Sequence, residues 1–278
     1  MGILRLPDGR DMEWREYGTP DGTPAFYLHG GASSFLEAAI YDAEAVAAGV
    51  RLIVPNRPGV GGSTPLPGFS HRTIADDTVR LADHLRIERF PVAGLSNGGM
   101  FALAVGAWHP SRVSRVVPVN STTPLYCDAV AWEHATQRAQ TAYEGVRAAL
   151  ATMPAATFLE AIRAQRWTEV TDPAGAVPAA AEPHIVALFD RVRDPVSPEA
   201  LTGELTLTLG AWDFDPNAVP SPVEFVTGAD DVGTPYAAVW VGRLPDARLH
   251  VVPGGHIAVL DPSLRRRLMA LLGSAATG

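Results

Sequence analysis

Six short apolar runs recur along the chain without polar alternation: PAFYLHG (24–30), VRLIVPN (50–56), FPVAGLS (90–96), VSRVVPVNS (113–121), PVEFVTG (222–228) and ARLHVVPGG (247–255). A strand with one wet face alternates, whereas a strand covered on both faces reads as a continuous apolar run. The segments between the runs have helical spacing. SHRTIADDTVRLADHLRI (70–87) sets Ile74, Thr78, Leu81 and Leu85 on one stripe, and the last helix carries Leu264, Leu268 and Leu271 on one face. Residues 98–108 are small and apolar nearly all round, as suits a helix buried against a sheet. Strands alternating with helices predict right-handed crossovers and a doubly wound, mostly parallel α/β sheet. The opening LRLPDGRDMEWREYG differs, alternating around Asp8-Gly9, and predicts a hairpin.

The alternation breaks between residues 123 and 220. This stretch is rich in Ala and Pro, with helical pieces near 128–151, 155–167, 184–193 and 197–210. Strand-helix units then resume. The expected organisation is therefore a core formed by residues 1–122 and 221–278, with 123–220 inserted as a helical cap. The aromatics Trp132, Tyr143, Phe158, Trp167 and Phe189 are expected to pack a small core within that insertion, with one or two facing a pocket.

One stretch carries chemistry. GLSNGGM (94–100) matches G-x-S-x-G, the pattern of a serine on a sharp strand-to-helix turn. With 26 glycines in the chain, chance supplies about 0.1 such matches, so the motif alone decides little. A serine hydroxyl needs a base, and the base an orienting acid. Asp230 and Asp231 follow the run PVEFVTG, and His256 follows the last run behind Gly254-Gly255. Ser96, the aspartates and His256 thus fall at C-terminal strand ends, where doubly wound sheets hold their ligands. Either aspartate suits the acid on this reasoning. An oxyanion hole needs backbone N–H donors. The amide of Asn97, directly after the serine, is one candidate, and Gly31 in HGGASS supplies the other.

These segments resemble the α/β-hydrolase fold with a cap domain. The resemblance rests on HGG (29–31), NRPGVGGS (56–63), GLSNGG (94–99), WDFDPNAVPSPVEFVTGADDVGTP (212–235) and GGH (254–256). It implies a serine hydrolase with the triad Ser96, Asp231 and His256. The family places its acid three residues after the strand-end glycine and a proline four further on, and Gly228, Asp231 and Pro235 fit that spacing. It also implies that His29 holds the oxyanion loop. Asn56 stands where aspartate is common, and Asn97 where methionine is common. Serine at position 96 sets the chain apart from members resembling haloalkane dehalogenases and epoxide hydrolases, which carry aspartate there. His29, Trp132 and Trp212 are candidates for the edge of a pocket for a small hydrophobic substrate.

Composition excludes other classes. No lysine occurs, which removes Schiff-base chemistry with pyridoxal phosphate and the P-loop lysine together. The single cysteine, Cys127, excludes an internal disulfide and reads as a packing residue. No His-rich spacing suggests a metal, and no cofactor is expected. A net charge of −8 disfavours nucleic acid as a partner. Charge and proline at the start, and no long apolar span, predict a cytoplasmic protein without a membrane anchor. Arg265 to Arg267 are expected to be solvated near the end of the last helix. His71, His84, His109 and His250 are expected to lack paired partners. Nothing sets the oligomeric state. The predicted activity is hydrolysis of an ester, thioester or related acyl bond. The same triad also serves carbon–carbon hydrolysis or a biosynthetic cyclase or lyase, and the alternative of another class is a non-catalytic ligand-binding protein.

Overall fold

A computed structural model describes residues 1–122, 124, 128–165, 176–193 and 195–274. Cys127 and Trp167 lie outside them. The strands in chain order are β1 (Gly2–Arg5), β2 (Asp11–Gly18), β3 (Thr23–Leu28), β4 (Val50–Pro55), β5 (Phe90–Leu95), β6 (Val113–Val119), β7 (Val223–Gly228) and β8 (Ala247–Val252). They form one eight-stranded sheet in the order β1-β2-β4-β3-β5-β6-β7-β8. β1 and β2 pair antiparallel around the turn at Gly9, whose φ of +87° is a conformation that favours glycine. β2 is antiparallel to β4, and every later pairing is parallel.

The helices are α1 (Asp42–Ala47), α2 (His71–His84), α3 (Asn97–Trp108), α4 (Ala129–His134), α5 (Gln137–Thr152), α6 (Ala155–Ala164), α7 (Pro183–Phe189), α8 (Pro198–Leu209), α9 (Thr234–Val241) and α10 (Pro262–Gly273). Successive strand residues point to opposite faces, and the sheet sorts them accordingly. Phe26, Val92, Val116 and Phe225 enter one core with residues of α2, α3 and α9. Their neighbours Tyr27, Ala93, Val117 and Val226 enter a second core with residues of α1 and α10. The apolar runs are therefore strands covered on both faces, with one difference. β8 is an edge strand and half exposed, with Val251 open to solvent, because nothing pairs beyond it.

Ser70 starts α2 through a capping box: its hydroxyl accepts from the Thr73 amide while the Thr73 hydroxyl accepts from the Ser70 amide. α3 is buried from Asn97 to Gly106, as its sequence without a polar face requires. After β3 the chain turns to β4 on one side, and after β4 it crosses to β5 on the other. The loops following β3 and β5 diverge at that reversal and leave a crevice between them.

Among the described residues, α4 to α8 lie between β6 and β7. Of their described aromatics, Phe158 packs against a small cluster made mostly of the segment's own residues, and the others reach the body of the molecule. Phe189 enters the core on the α10 face, and Trp132 packs against the core on the α3 face. Leu159 of α6 and Ala200 and Leu201 of α8 form a small cluster with Ala32 and Val60 of the loops after β3 and β4. The reading of Arg265 also changes. α10 begins at Pro262, so Arg265 lies in its first turns, 1% exposed, bonding Glu44 at 2.9 Å and Leu260 O at 2.7 Å and pairing with Glu182. Arg266 and Arg267 are exposed. Three of the four histidines expected to be unpaired have carboxylate neighbours: His71 with Asp213, His109 with Asp76 and His250 with Glu224. No helix among the described residues is long and apolar enough to cross a membrane.

Candidate active site

Ser96 links β5 to α3 with φ +54° and ψ −119°, a conformation that costs a non-glycine residue about 1–3 kcal/mol. Its amide donates to Val119 O of β6 at 2.9 Å, and its carbonyl accepts from the amides of Gly99 and Thr122 at 2.9 and 3.1 Å. These bonds clamp the turn to the neighbouring strand. The flanking glycines are required by close approach. A Cβ on Gly98 would stand 1.8 Å from Leu28 O, and one on Gly94 2.3 Å from the Gly98 carbonyl. The first turn of α3 is therefore pressed against the end of β3.

His256 lies in the segment after β8, and its Nδ1 is 2.6 Å from Asp231 Oδ2. A carboxylate only accepts, so Nδ1 carries the proton and Nε2 keeps its lone pair. The other Asp231 oxygen accepts from the Gly233 amide at 2.7 Å, which fixes the carboxylate in the turn after β7. Asp231 is buried and bonded to His256, while Asp230 is exposed. Burial opposes the imidazolium, but the charge and hydrogen bond of Asp231, with a contribution from Glu37, hold His256 above the ordinary histidine pKa. The imidazole is one-third exposed, at 34%.

Ser96, Asn97, Asp231 and His256 line one cavity of about 230 Å³. Its other walls are Tyr143 and Val146 of α5, Leu205, Thr208 and Leu209 of α8, Val232, Gly233 and residues 120–122. Asn97 is the first residue of α3, where helix geometry leaves the amide N–H without an intrahelical acceptor. Its side-chain oxygen accepts from the Thr122 hydroxyl at 2.7 Å, and its Nδ2 would be 2.6 Å from a Cβ on Gly31. Asn97 and Gly31 thus face each other across the crevice.

The three candidates for the pocket edge lie elsewhere. His29 is fully buried beneath the loop, its Nδ1 3.0 Å from Gly30 O. Burial and the charge of Arg57 hold its pKa well below the ordinary value, so it stays neutral. Trp212 stacks on Phe214 at 5.1 Å in the core on the α3 face, and Trp132 packs against that core. Of the aromatics noted in the sequence, Tyr143 reaches the cavity.

Sequence reasoning missed the groups that hold the loop carrying Gly31. Glu37, 1% exposed, accepts from the Gly30 amide with both oxygens at 3.1 Å and from Tyr27 and Ser33 hydroxyls at 2.7 Å. Burial raises its pKa against these bonds. Arg57 donates to His29 O and Gly30 O and pairs with Glu204 of α8. Asn56 is structural: its side chain bonds the Phe35 amide at 2.7 Å and Glu13 at 3.1 Å. No short-range spacing signals such contacts. Among the described residues, no three His, Cys, Asp or Glu side chains cluster as a cation site.

The chain belongs to the alpha/beta hydrolase fold family, whose model matches residues 26–263. It is 31% identical to the magnesium-chelatase 30 kDa subunit of Rhodobacter capsulatus, over 86% of this chain and 82% of that protein. It is also 31% identical to a proline iminopeptidase of Arabidopsis thaliana, over 42% of this chain but only 31% of the peptidase, so it spans less than a third of that relative. Among solved structures, a thermophilic esterase from Thermogutta terrifontis superposes with a TM-score of 0.73 at 18% identity, over 99% of each chain. That last likeness is one of fold.

Proposed function

We propose that the chain is a serine hydrolase that cleaves an ester or related acyl bond of a small, largely apolar substrate through an acyl-enzyme. The observation that carries this reading is the strained Ser96 sharing a cavity with a His256 whose Nδ1 is bonded to Asp231. Ser96 Oγ attacks the acyl carbon and its proton passes to His256 Nε2, while Asp231 holds the tautomer and stabilises the imidazolium. The amides of Asn97 and Gly31 receive the oxyanion. His256 then returns the proton to the departing alkoxide. In the second half, water attacks the acyl-enzyme with His256 as base, and Ser96 regains its proton.

The substrate class follows from the walls. Val146, Leu205, Leu209 and Val232 are apolar, and the one carboxylate among the described lining residues, Asp231, is engaged by His256. Among the described lining residues a substrate with a free amino group meets no unengaged carboxylate, which favours a neutral acyl ester over an aminopeptidase substrate. Residues 123–220 act as the cap, with α5 and α8 as its substrate-facing walls.

A fluorophosphonate probe tests the proposal. It is expected to label the parent protein on Ser96 and to leave Ser96→Ala unlabelled; an unlabelled parent refutes the nucleophile. A second reading, ligand holding without turnover, is favoured by one observation: the relative matching most of both chains is named as a chelatase subunit rather than a hydrolase. Turnover of p-nitrophenyl acetate that disappears in His256→Ala separates the two.

A further inference from the structure

We propose that Glu204, on α8 of the inserted segment, is a positioning residue for the oxyanion loop, acting through Arg57 and the Ala32 amide. The proposal rests on the serine-hydrolase reading above. Glu204 is wholly buried, and Arg57 is 3% exposed. One Glu204 oxygen accepts from Arg57 Nε at 2.8 Å and lies 2.7 Å from Nη2, and the other accepts from the Ala32 amide at 2.9 Å. The guanidinium then donates from Nη1 to His29 O and from Nη2 to Gly30 O, each at 2.6 Å, and lies 5.1 Å from the Phe101 ring centre.

An ion pair this deep loses so much hydration that it is a poor source of net stability. Its effect here is geometric. In a trans peptide the carbonyl of one residue and the amide of the next lie in one plane and point in opposite directions. Holding Gly30 O against Arg57 therefore aims the Gly31 N–H away from the buried guanidinium. The Ala32 amide, bound to Glu204, fixes the following peptide. Gly31 has no side chain to hold either plane, so the two charged groups supply the rigidity that the glycine lacks.

The anchor comes from the element that also lines the cavity. Leu205, next to Glu204, forms part of the wall, as do Thr208 and Leu209 one turn on. α8 thus lines the cavity and, from the position just before Leu205, anchors the loop that carries an oxyanion donor. Independent backbone bonds, Gly61 N–H to Pro195 O at 2.8 Å and Ser197 N–H to Gly59 O at 3.1 Å, dock the start of α8 on the Arg57 loop. Neutralising Glu204 leaves that docking in place.

The test is Glu204→Gln, assayed with p-nitrophenyl acetate and by hydrogen–deuterium exchange. An oxyanion donor that loses its aim is expected to lower kcat by about 10–100-fold with KM within about threefold, since the contact matters in the transition state. Exchange of the amides of residues 30–32 is expected to accelerate while that of α10 is unchanged. Leu209→Ala, on the same helix, is expected to raise KM and leave loop exchange alone. Arg57→Lys keeps the buried charge but lacks the fork that reaches two carbonyls, and is expected to reproduce the kcat loss if Glu204→Gln does not fold. A kcat within twofold of the parent in the folded variants, or a loss matched by an equal rise in KM, overturns the proposal. Unchanged exchange at 30–32 overturns it too, even where the parent shows neither turnover nor a fluorophosphonate adduct. In that last case the serine-hydrolase reading has failed separately.

Discussion

Replacing Ser96 by glycine is expected to destroy activity and stabilise the protein. The φ of +54° and ψ of −119° at this position suit glycine and strain every side chain. Relief of that strain is worth about 1–3 kcal/mol. Glycine returns about 0.5–1 kcal/mol of this through the added freedom of the unfolded chain. A net gain of about 0–2.5 kcal/mol remains, with a midpoint of about 1.3 kcal/mol. For 278 residues, an unfolding entropy of about 0.6 kcal/mol/K converts that midpoint to a Tm rise of about 2 °C. Ser96→Ala is the control, because it removes the hydroxyl but keeps the Cβ and therefore the strain. Both variants are expected to lose on the order of 10⁴-fold or more in p-nitrophenyl acetate turnover. Thermal denaturation followed by circular dichroism then compares them. A glycine variant no more stable than the alanine variant would show that the turn stores no strain.

Three further outcomes are expected. Because His256 must be neutral to accept a proton and Asp231 raises its pKa, kcat/KM is expected to fall as pH drops through a value above about 6.5. Asp231→Asn removes the raising influence and leaves burial, so the limb moves to lower pH while the plateau falls by about 10⁴-fold; a pH–rate profile with an unmoved limb refutes the assignment. Gly98→Ala is expected to unfold the protein or cost more than about 3 kcal/mol, since its Cβ meets backbone at 1.8 Å. Arg265→Leu strands the Glu44 carboxylate and is expected to cost about 2–4 kcal/mol in urea denaturation, against less than about 0.5 for exposed Arg266→Leu. Equal effects would mean that the buried pair contributes nothing.

The architecture was legible because burial on both faces writes itself as unbroken apolar runs, and β3, β5 and β7 carry that mark. β8 does not: Arg248 and His250 alternate with Ala247, Leu249 and Val251, in keeping with its half-exposed place at the edge. The residues gathered at the cavity were legible because topology brings C-terminal strand ends together whatever their separation in sequence. The supports of the loop carrying Gly31 were not. Glu204 and Ala32 are 172 residues apart, and Arg57 and Glu204 are 147 apart, with no periodicity to join them. Arg265 was misjudged because a run of three charges suggests solvent, while its helical phase buries the first of them. Trp132 and Trp212 were misjudged for the converse reason: an aromatic in an insertion fits a pocket wall and a seam equally well on sequence alone.

The place where α4 to α8 enter the fold has a consequence for how such a protein diversifies. β6 and β7 are neighbours, with Val116 opposite Val223 and Val119 opposite Val226. The return segment from Trp212 to Ser221 packs down the α3 face and ends where Ser221 bonds Val113 O at 2.9 Å, at the far end of β6. It completes the crossover by itself, while α7 before it also sends Ile185, Val186 and Phe189 into the core on the α10 face. A different helical segment spliced in there would change which molecules are admitted without disturbing a strand pairing. One condition travels with the exchange. On the role proposed for Glu204, the incoming segment has to bring a carboxylate that meets Arg57, or the graft inherits a new pocket and a slack loop.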